Sequence, residues 1–408
     1  MTVRLLVISD LYPPVAYGGY ERSCAAVVDG LRARHSVVVL TSDRRRAQVP
    51  AEGWVRRELP WLGPARSDAL QVPRAAVQTA AITRRVLDEL RPDAVYVCNC
   101  LCISQVAPYV ALQAGVPVVH RLSELWLATS LYRDDRFVGY LQPGRRRARR
   151  GWSMLVGAVN RHPALRLDPT RQVPAAISWC SDDLRARSTL PAAIDPVLEQ
   201  TAHPGVARTF AALPRRPSST PTIAYAGRVT TAKGAEVAVQ ALATLRSAHG
   251  IRARLVLAGH CQRGMAARLE RLARRLGVGS EVELAGELDA PGLGRLFARA
   301  HVLVVPTVTH EAFGRVCVEA ALARVPVVAA RIGGIPEALH DGEHALLFAA
   351  GDADACAAEM AATLRDPAAA RARAERAFRH AEQFSVERFA AAEEAFLAHA
   401  ASVLGKAA

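Results

Sequence analysis

Aromatic residues make up only 5% of the 408 positions. No aromatic-rich strand of the kind that stacks RNA bases is present, and zinc-finger spacing and a basic leucine zipper are missing too, so no nucleic-acid module is recognised. No uninterrupted apolar run is long enough to cross a bilayer. The run VRLLVIS, from Val3 to Ser9, stops at Asp10. It lacks the length and the small-residue cleavage site of a secretory leader and reads as a first strand. The 8 cysteines show no framework spacing, which excludes a disulfide scaffold and suits a reducing cytoplasm. Cys98, Cys100 and Cys102 alternate along a strand-like segment, whereas zinc ligands usually take the spacing of a turn, so these read as structural. No biased segment is long enough for wholesale disorder.

What is present is a long, half-apolar chain with a net charge of +14. The length exceeds one ordinary core, so two domains are expected. The charge suits anionic small molecules or an acidic membrane surface. Because arginine and alanine dominate over lysine and isoleucine, part of it also fits a GC-rich genome.

The chain is organised around Val302 to Gly334, VLVVPTVTHEAFGRVCVEAALARVPVVAARIGG. An apolar β-branched run, Val302 to Val305, is stopped by Pro306, the pattern of a buried parallel strand. A polar loop follows, a helical pattern runs from Gly314 to Ala323, and Val325 to Ala330 reads as a second buried strand closed by Gly333 and Gly334. In open α/β sheets such a loop opens at the carboxyl edge, where ligands bind. Glu311 lies before the helix and Glu319 inside it, with seven residues between them. Such spacing allows both carboxylates to face one site at different depths. Carboxylates accept hydrogen bonds from paired sugar hydroxyls, and the amides of the Phe313-Gly314-Arg315 turn suit a phosphate. On residues alone, Glu319 can equally be a solvated helix residue and Glu311 a helix-start acid favoured by the dipole.

HEAFGRVCVEA followed by ARIGG resembles the E-x7-E element of retaining glycosyltransferases of the GT-B fold, glycosyltransferase family 4. The resemblance implies that Glu311 contacts the donor sugar and Glu319 the nucleotide ribose, with Ala312, Phe313, Gly314 and Arg315 lining the donor. It extends over nearly the whole chain, and is strongest from Thr222 to Phe348. Tyr12-Pro13-Pro14 with Gly18 and Gly19, between the first strand and a helix from Tyr20 to Leu31, resembles the family's amino-terminal loop beside the donor diphosphate and acceptor. Glycines there let a backbone approach a ligand closely. Val37 to Leu40 and Ala94 to Cys98 read as strands and Arg74 to Leu90 as a helix. Val116 to His120 is a further strand, ending in His120-Arg121. The family places a His at this strand end, near donor sugar and acceptor, so His120 is carried over, while Arg121 departs from the pattern and stays unassigned.

Five arginines between Arg145 and Arg150 form a basic run near Trp152. It reads as a solvated surface or as a contact for anionic lipid or an acidic acceptor. Asp182 and Asp183 read as a helix cap rather than a metal site. Thr222 to Ala226 opens a second Rossmann-like half, followed by Gly227-Arg228 and Lys233-Gly234. An Arg and a Lys at a strand-to-helix turn can hold a diphosphate together with the helix start, and the pair resembles the family's phosphate-binding pair. Strand Arg254 to Ala258 ends at Gly259, and Val282 to Leu284 precedes the turn through Leu288 that in the family lies beside the nucleotide base. Asp352-Ala353-Asp354 reads as a helix cap rather than a metal site. Phe384 to Ala400 is a last amphipathic helix with Phe389 and Phe396 seven apart.

The expected architecture is α/β: two Rossmann-like doubly wound domains facing a central cleft, with the C-terminal helix packing back on the first domain. Residues 1–215 form the acceptor-binding domain, 216–383 the nucleotide-sugar-binding domain, and 384–408 the returning helix. The implied activity is a retaining, metal-independent transfer of a hexose from a nucleoside diphosphate-sugar to an acceptor hydroxyl. His120, Arg228, Lys233 and Glu311 are the catalytic candidates. Gly18, Gly19, Gly227, Gly259, Leu288 and the residues around Glu311 are the donor-binding candidates. UDP, GDP and dTDP stay open as the nucleotide, no other cofactor is expected, and the oligomeric state is open. The individual acceptor region points to a specialised metabolite such as an antibiotic scaffold. An envelope lipid or small precursor, an epimerase or hydrolase on the same fold, and a non-catalytic sugar-nucleotide sensor are the alternatives. The expected location is the cytoplasm, with peripheral contact to an anionic membrane as a further option.

Overall fold

A computed structural model describes residues 2–15, 18–63, 71–124, 173–190, 194–211 and 214–405. The basic run from Arg145 to Arg150 lies outside the described residues. The chain divides into two compact units, one formed by Met1–Gly205 with Val386–Ala408 and the other by Val206–Ser385. The division falls before the Pro- and Ser-rich stretch at residues 214–221, because Val206 already bridges to Ser385 and Phe210 packs edge-on against Phe297.

In the first unit the elements run β1 (Arg4–Ser9), α1 (Gly19–Arg32), β2 (Ser36–Ser42), β3 (Val55–Leu59), α2 (Gln71–Leu90), β4 (Ala94–Asn99), α3 (Val106–Gln113), β5 (Val118–Leu122), β6 (Val173–Trp179), α4 (Asp182–Arg187) and β7 (Ile194–Thr201). The 7 strands form one sheet in the order β3-β2-β1-β4-β5-β6-β7, every neighbouring pair parallel. The central strands are apolar on both faces, as a sheet covered on both sides requires. Leu6, Val7 and Ile8 are fully buried. Ser181 caps α4 by accepting from the Leu184 amide, leaving Asp182 and Asp183 in its first turn.

The second unit continues with β8 (Thr222–Ala226), α5 (Ala235–Ser247), β9 (Arg254–Ala258), α6 (Met265–Arg275), β10 (Val282–Gly286), α7 (Ala290–Arg299), β11 (Val302–Val305), α8 (Arg315–Leu322), β12 (Val327–Ala330), α9 (Ile335–Ala338), β13 (Leu346–Phe348), α10 (Ala353–Arg365) and α11 (Pro367–Ala381). Its 6 strands form a parallel sheet in the order β10-β9-β8-β11-β12-β13. Side chains alternate across the sheet. Ile223, Tyr225, Val302 and Val304 join the core under α5, α6 and α10. Ala224, Leu303 and Val305 join the core under α7, α8 and α11. Truncating such a side chain to Ala costs about 2–5 kcal/mol. Asp352 caps α10 by accepting from the Ala355 amide, which accounts for this acid without a metal.

The last helix, α12 (Val386–Leu404), belongs to the first unit. Phe389, Phe396, Leu397 and Ala400 pack with Val27, Val28 and Leu31 of α1 and with Tyr96. The two helices approach so closely that a Cβ on Gly30 would sit 2.9 Å from that of Ala390. Beneath them Glu393, fully buried, meets Arg121 Nη1 at 3.2 Å. The same carboxylate accepts from Tyr96 Oη at 2.8 Å and Ser178 Oγ at 2.6 Å. Arg121, unassigned by its sequence context, is therefore the buried partner of the last helix. Among the described residues no helix is long and apolar enough to cross a membrane.

Candidate functional site

The second unit gathers the candidate residues on the loops that follow β8, β9, β10, β11 and β12, all at the carboxyl edge of its parallel sheet. The loop after β8 is held from below by Tyr225, whose hydroxyl donates to the carbonyls of Arg228 at 2.7 Å and Lys233 at 3.2 Å. Burial pushes the Tyr225 phenol up, so it stays a donor. One buried hydroxyl thereby sets the backbone on which both cations stand. Arg228 is exposed and Lys233 half-buried.

Glycines let neighbouring loops touch. Gly234 sits at φ +71°, and a Cβ there would come within 1.7 Å of the Pro306 carbonyl. Gly333, at φ +59°, would strike the Glu311 carbonyl at 2.0 Å. Ordinary side chains are excluded from both positions by space as well as by conformation. Backbone bonds close the same contacts, from the Gly334 amide to the Glu311 carbonyl at 2.9 Å and from the Val308 amide to the Ala232 carbonyl at 3.0 Å. The loop after β11 is thus fixed from two sides, and Lys233 Nζ meets Glu311 Oε2 at 2.5 Å. Gly227 is bonded to the Ala258 carbonyl and Gly259 to the Gly286 carbonyl. Leu288 follows on the next loop, half-buried.

Three of the helices that start at this edge open on a left-handed glycine, Gly234 before α5, Gly264 before α6 and Gly314 before α8. Glycine has no side chain to cap the first amides, so helix-start N–H groups remain for an anion. Glu319 lies on α8 with Arg315 Nη2 4.0 Å from its Oε1. Ala312 is half-buried, whereas Phe313 is 2% exposed and packs edge-on against Phe384, so it braces the loop from within the core. Sequence reasoning missed Tyr225 and the Gly333 contact. The signals were the tyrosine hydroxyl inside the apolar run IAYA and the glycine pair after ARI.

In the first unit, Gly18 and Gly19 start α1, and the Gly18 amide donates to Glu21 Oε2 at 2.9 Å. Asp10, also missed, is buried at the end of β1 and accepts from the Leu11 amide at 2.8 Å and the Cys102 amide at 3.3 Å. Desolvation, reinforced by Glu21, raises its carboxyl to about 7. His120 does not end its strand, because β5 runs on to Leu122. The ring is 1% exposed, and burial pushes it down to about 3. It is therefore a neutral imidazole near pH 7.

The profile of the family described as "Glycosyl transferases group 1" matches residues 209–380, and that of "Glycosyltransferase Family 4" matches residues 17–162. A D-inositol 3-phosphate glycosyltransferase of Mycolicibacterium paratuberculosis is 34% identical over 203 residues, 47% of this chain and 45% of that protein. The chain therefore spans about half the length of such curated relatives. A glycogen synthase of Mycobacterium tuberculosis is 28% identical over 404 residues, covering 91% of this chain and 88% of that one. Among solved structures, Anabaena Alr3699/HepE in complex with UDP and glucose superposes with a TM-score of 0.68 at 19% identity, covering 97% of this chain and 100% of that one. At that identity the likeness speaks for the fold alone.

Proposed function

The chain belongs to the GT-B glycosyltransferases of family 4 type, and we propose that it transfers a hexose from a nucleoside diphosphate-sugar to an acceptor hydroxyl with retention at the anomeric carbon. The observation that carries this reading is the Lys233–Glu311 pair at 2.5 Å, with Lys233 on the loop that also carries Arg228. On this reading Lys233 serves as the cation for phosphate and Glu311 as the carboxylate for sugar hydroxyls, on two loops locked together by glycines. As the bond from the anomeric carbon to the diphosphate breaks, charge grows on the leaving oxygens. Arg228, Lys233 and the amides at the starts of α5 and α8 stabilise it. The acceptor oxygen bonds to the same face of the sugar, and its proton passes to the departing phosphate. No side-chain nucleophile and no metal enters this scheme. His120 acts as a neutral positioning residue, and Glu319 holds the ribose.

UDP-glucose is the first donor to test, because UDP and glucose accompany the similar Anabaena structure and a glycogen synthase is among the relatives. GDP- and dTDP-sugars are the next. For the acceptor we favour a specialised metabolite such as an antibiotic scaffold over an envelope lipid or small precursor, with the reaction in the cytoplasm. The same fold also serves epimerases and hydrolases. The deciding experiment incubates the chain with each donor, with and without an acceptor panel, and reads the anomeric coupling of the product by NMR. Acceptor-dependent product with the donor's anomeric configuration, undiminished by EDTA, supports the proposal. Inverted product, acceptor-independent turnover, or loss of activity that magnesium restores would overturn it.

A further inference from the structure

A second group of chemically active side chains lies in the same unit, on the turn between α9 and β13. Among the described residues, His340, Glu343 and His344 are the one set of His, Cys, Asp or Glu side chains placed to share a metal ion, each offering a ligand atom within 4.8 Å of the others. The turn that carries them is built. The His344 amide donates to the His340 carbonyl at 2.9 Å, and Gly342 closes on Ala345 at 2.8 Å. Asp341 Oδ1 accepts from the Leu347 amide at 2.8 Å, and Arg376 Nε of α11 donates to the Glu343 carbonyl at 3.0 Å. None of these bonds uses the Glu343 carboxylate.

That carboxylate stands between the two rings, with Oε2 3.6 Å from His340 Nδ1 and Oε1 3.5 Å from His344 Nε2. Charge-assisted hydrogen bonds between such groups are much shorter, about 2.7–2.9 Å. Two ligands each about 2.1 Å from a tetrahedral ion lie about 3.4 Å apart; each ring is near that distance from one Glu343 oxygen, and the three single ligand atoms lie within 4.8 Å of one another. His340 and Glu343 have side chains 53% and 58% exposed and can close the remaining gap by rotation, while His344, 6% exposed, is the fixed member. His380 of α11 stacks on the His344 ring, centroids 4.1 Å apart and planes 25° from parallel, and walls one side of the site. Coordination through His344 Nε2 moves its ring proton to Nδ1 and gives up only a long 3.3 Å contact from the His340 amide.

We propose that His340, Glu343 and His344 form a three-ligand site for a borderline divalent transition-metal ion of the zinc class, with water in the fourth position. Two imidazoles and one carboxylate suit zinc, cobalt or nickel and not magnesium or calcium, which take oxygen ligands. The site is separate from the glycines and the Lys233–Glu311 pair of the donor loops, so its metal is a brace for the turn and not a reagent in sugar transfer.

The test uses the tag-free full chain, stripped with EDTA and then freed of it, titrated with zinc by calorimetry and with cobalt by visible absorption. One equivalent should bind, with the intense absorption of tetrahedral cobalt, and a hundredfold excess of magnesium should not displace it. Glu343→Gln, a change at an exposed side chain, and His344→Ala should each weaken zinc binding by about tenfold or more. His399→Ala, at an exposed position on α12, should bind as the parent does. No binding by the parent chain overturns the proposal, as does binding that both Glu343→Gln and His344→Ala leave unchanged. Because the readout is binding, failure here leaves the reading of the donor site untouched.

Discussion

Lys233 and Glu311, 78 positions apart in the chain, hold their charged groups 2.5 Å from each other on neighbouring loops. Both side chains keep about a quarter of their surface exposed, so the pair is one that an arriving anion can rearrange. On the proposed function, a phosphate that recruits Lys233 would release the Glu311 carboxylate toward the sugar. Glu311→Gln should therefore leave affinity for the bare nucleoside diphosphate no weaker than in the parent, while donor-sugar affinity or turnover falls about ten- to a hundredfold. Glu319→Gln should weaken both ligands. Calorimetry of the two variants with both ligands checks the division, and equal losses of bare nucleotide in both would refute it.

The loop after β8 gives a graded expectation. Arg228→Ala and Lys233→Ala should each lower turnover by about a hundredfold or more, as removal of one group that stabilises developing negative charge does. Tyr225→Phe keeps the ring in the core and deletes only the hydroxyl that holds the Arg228 and Lys233 carbonyls. Its loss should be smaller, about tenfold, with unfolding little changed. Steady-state rates near those of the parent in all three would remove the loop from the mechanism.

Burial of His120 makes a pH prediction. Its folded-state value of about 3 lies below the unfolded 6.5. The unfolded chain therefore binds the extra proton between these values, and the stability His120 contributes is full above 6.5 and is lost as pH falls. From pH 7 to pH 5 the loss is about 2 kcal/mol. Asp10, raised to about 7, works in the opposite direction over part of this range. The informative quantity is thus the gap between parent and His120→Gln in urea unfolding, which should narrow toward pH 5. A gap that stays constant would mean that His120 does not titrate this way.

Removing Glu393 leaves Arg121, Tyr96 and Ser178 facing one another in the core of the first unit without their shared acceptor. Glu393→Ala should cost about 3–5 kcal/mol, the usual penalty for orphaning a buried charge. The double change Glu393→Leu with Arg121→Met should recover much of it. Denaturant unfolding of Glu393→Leu, Arg121→Met and their double variant measures the coupling. Additive losses would show that the pair is not a unit.

What was legible in the chain follows from how the core is built. Thr222–Ala226, Arg254–Ala258 and Val302–Val305 have the ends the sequence predicts, because each is an apolar run cut off by glycine or proline. The strands Val55–Leu59 and Ile194–Thr201 escaped notice. They are the two edges of the first sheet, and an edge tolerates the charges of VRREL and the proline of IDPVLEQT. The candidate donor residues were proposed from motifs, but the pairing of Lys233 with Glu311 could not be read there, since it depends on two loops brought together by Gly234 and Gly333. Arg121 had no visible partner because Glu393 lies 272 positions away, on a helix that reads as merely amphipathic.

The separation of Arg121 from Glu393 bears on the order in which the protein is made. The second unit is contiguous from Val206 to Ser385, so every strand of its sheet has been synthesised when that stretch ends. The first unit, begun earlier, still lacks the acid that neutralises Arg121 and the apolar face that covers α1. On the ribosome the later segment is complete first. The earlier one cannot bury Arg121 against its acid until Val386–Leu404 emerges, so its core is the last to be completed.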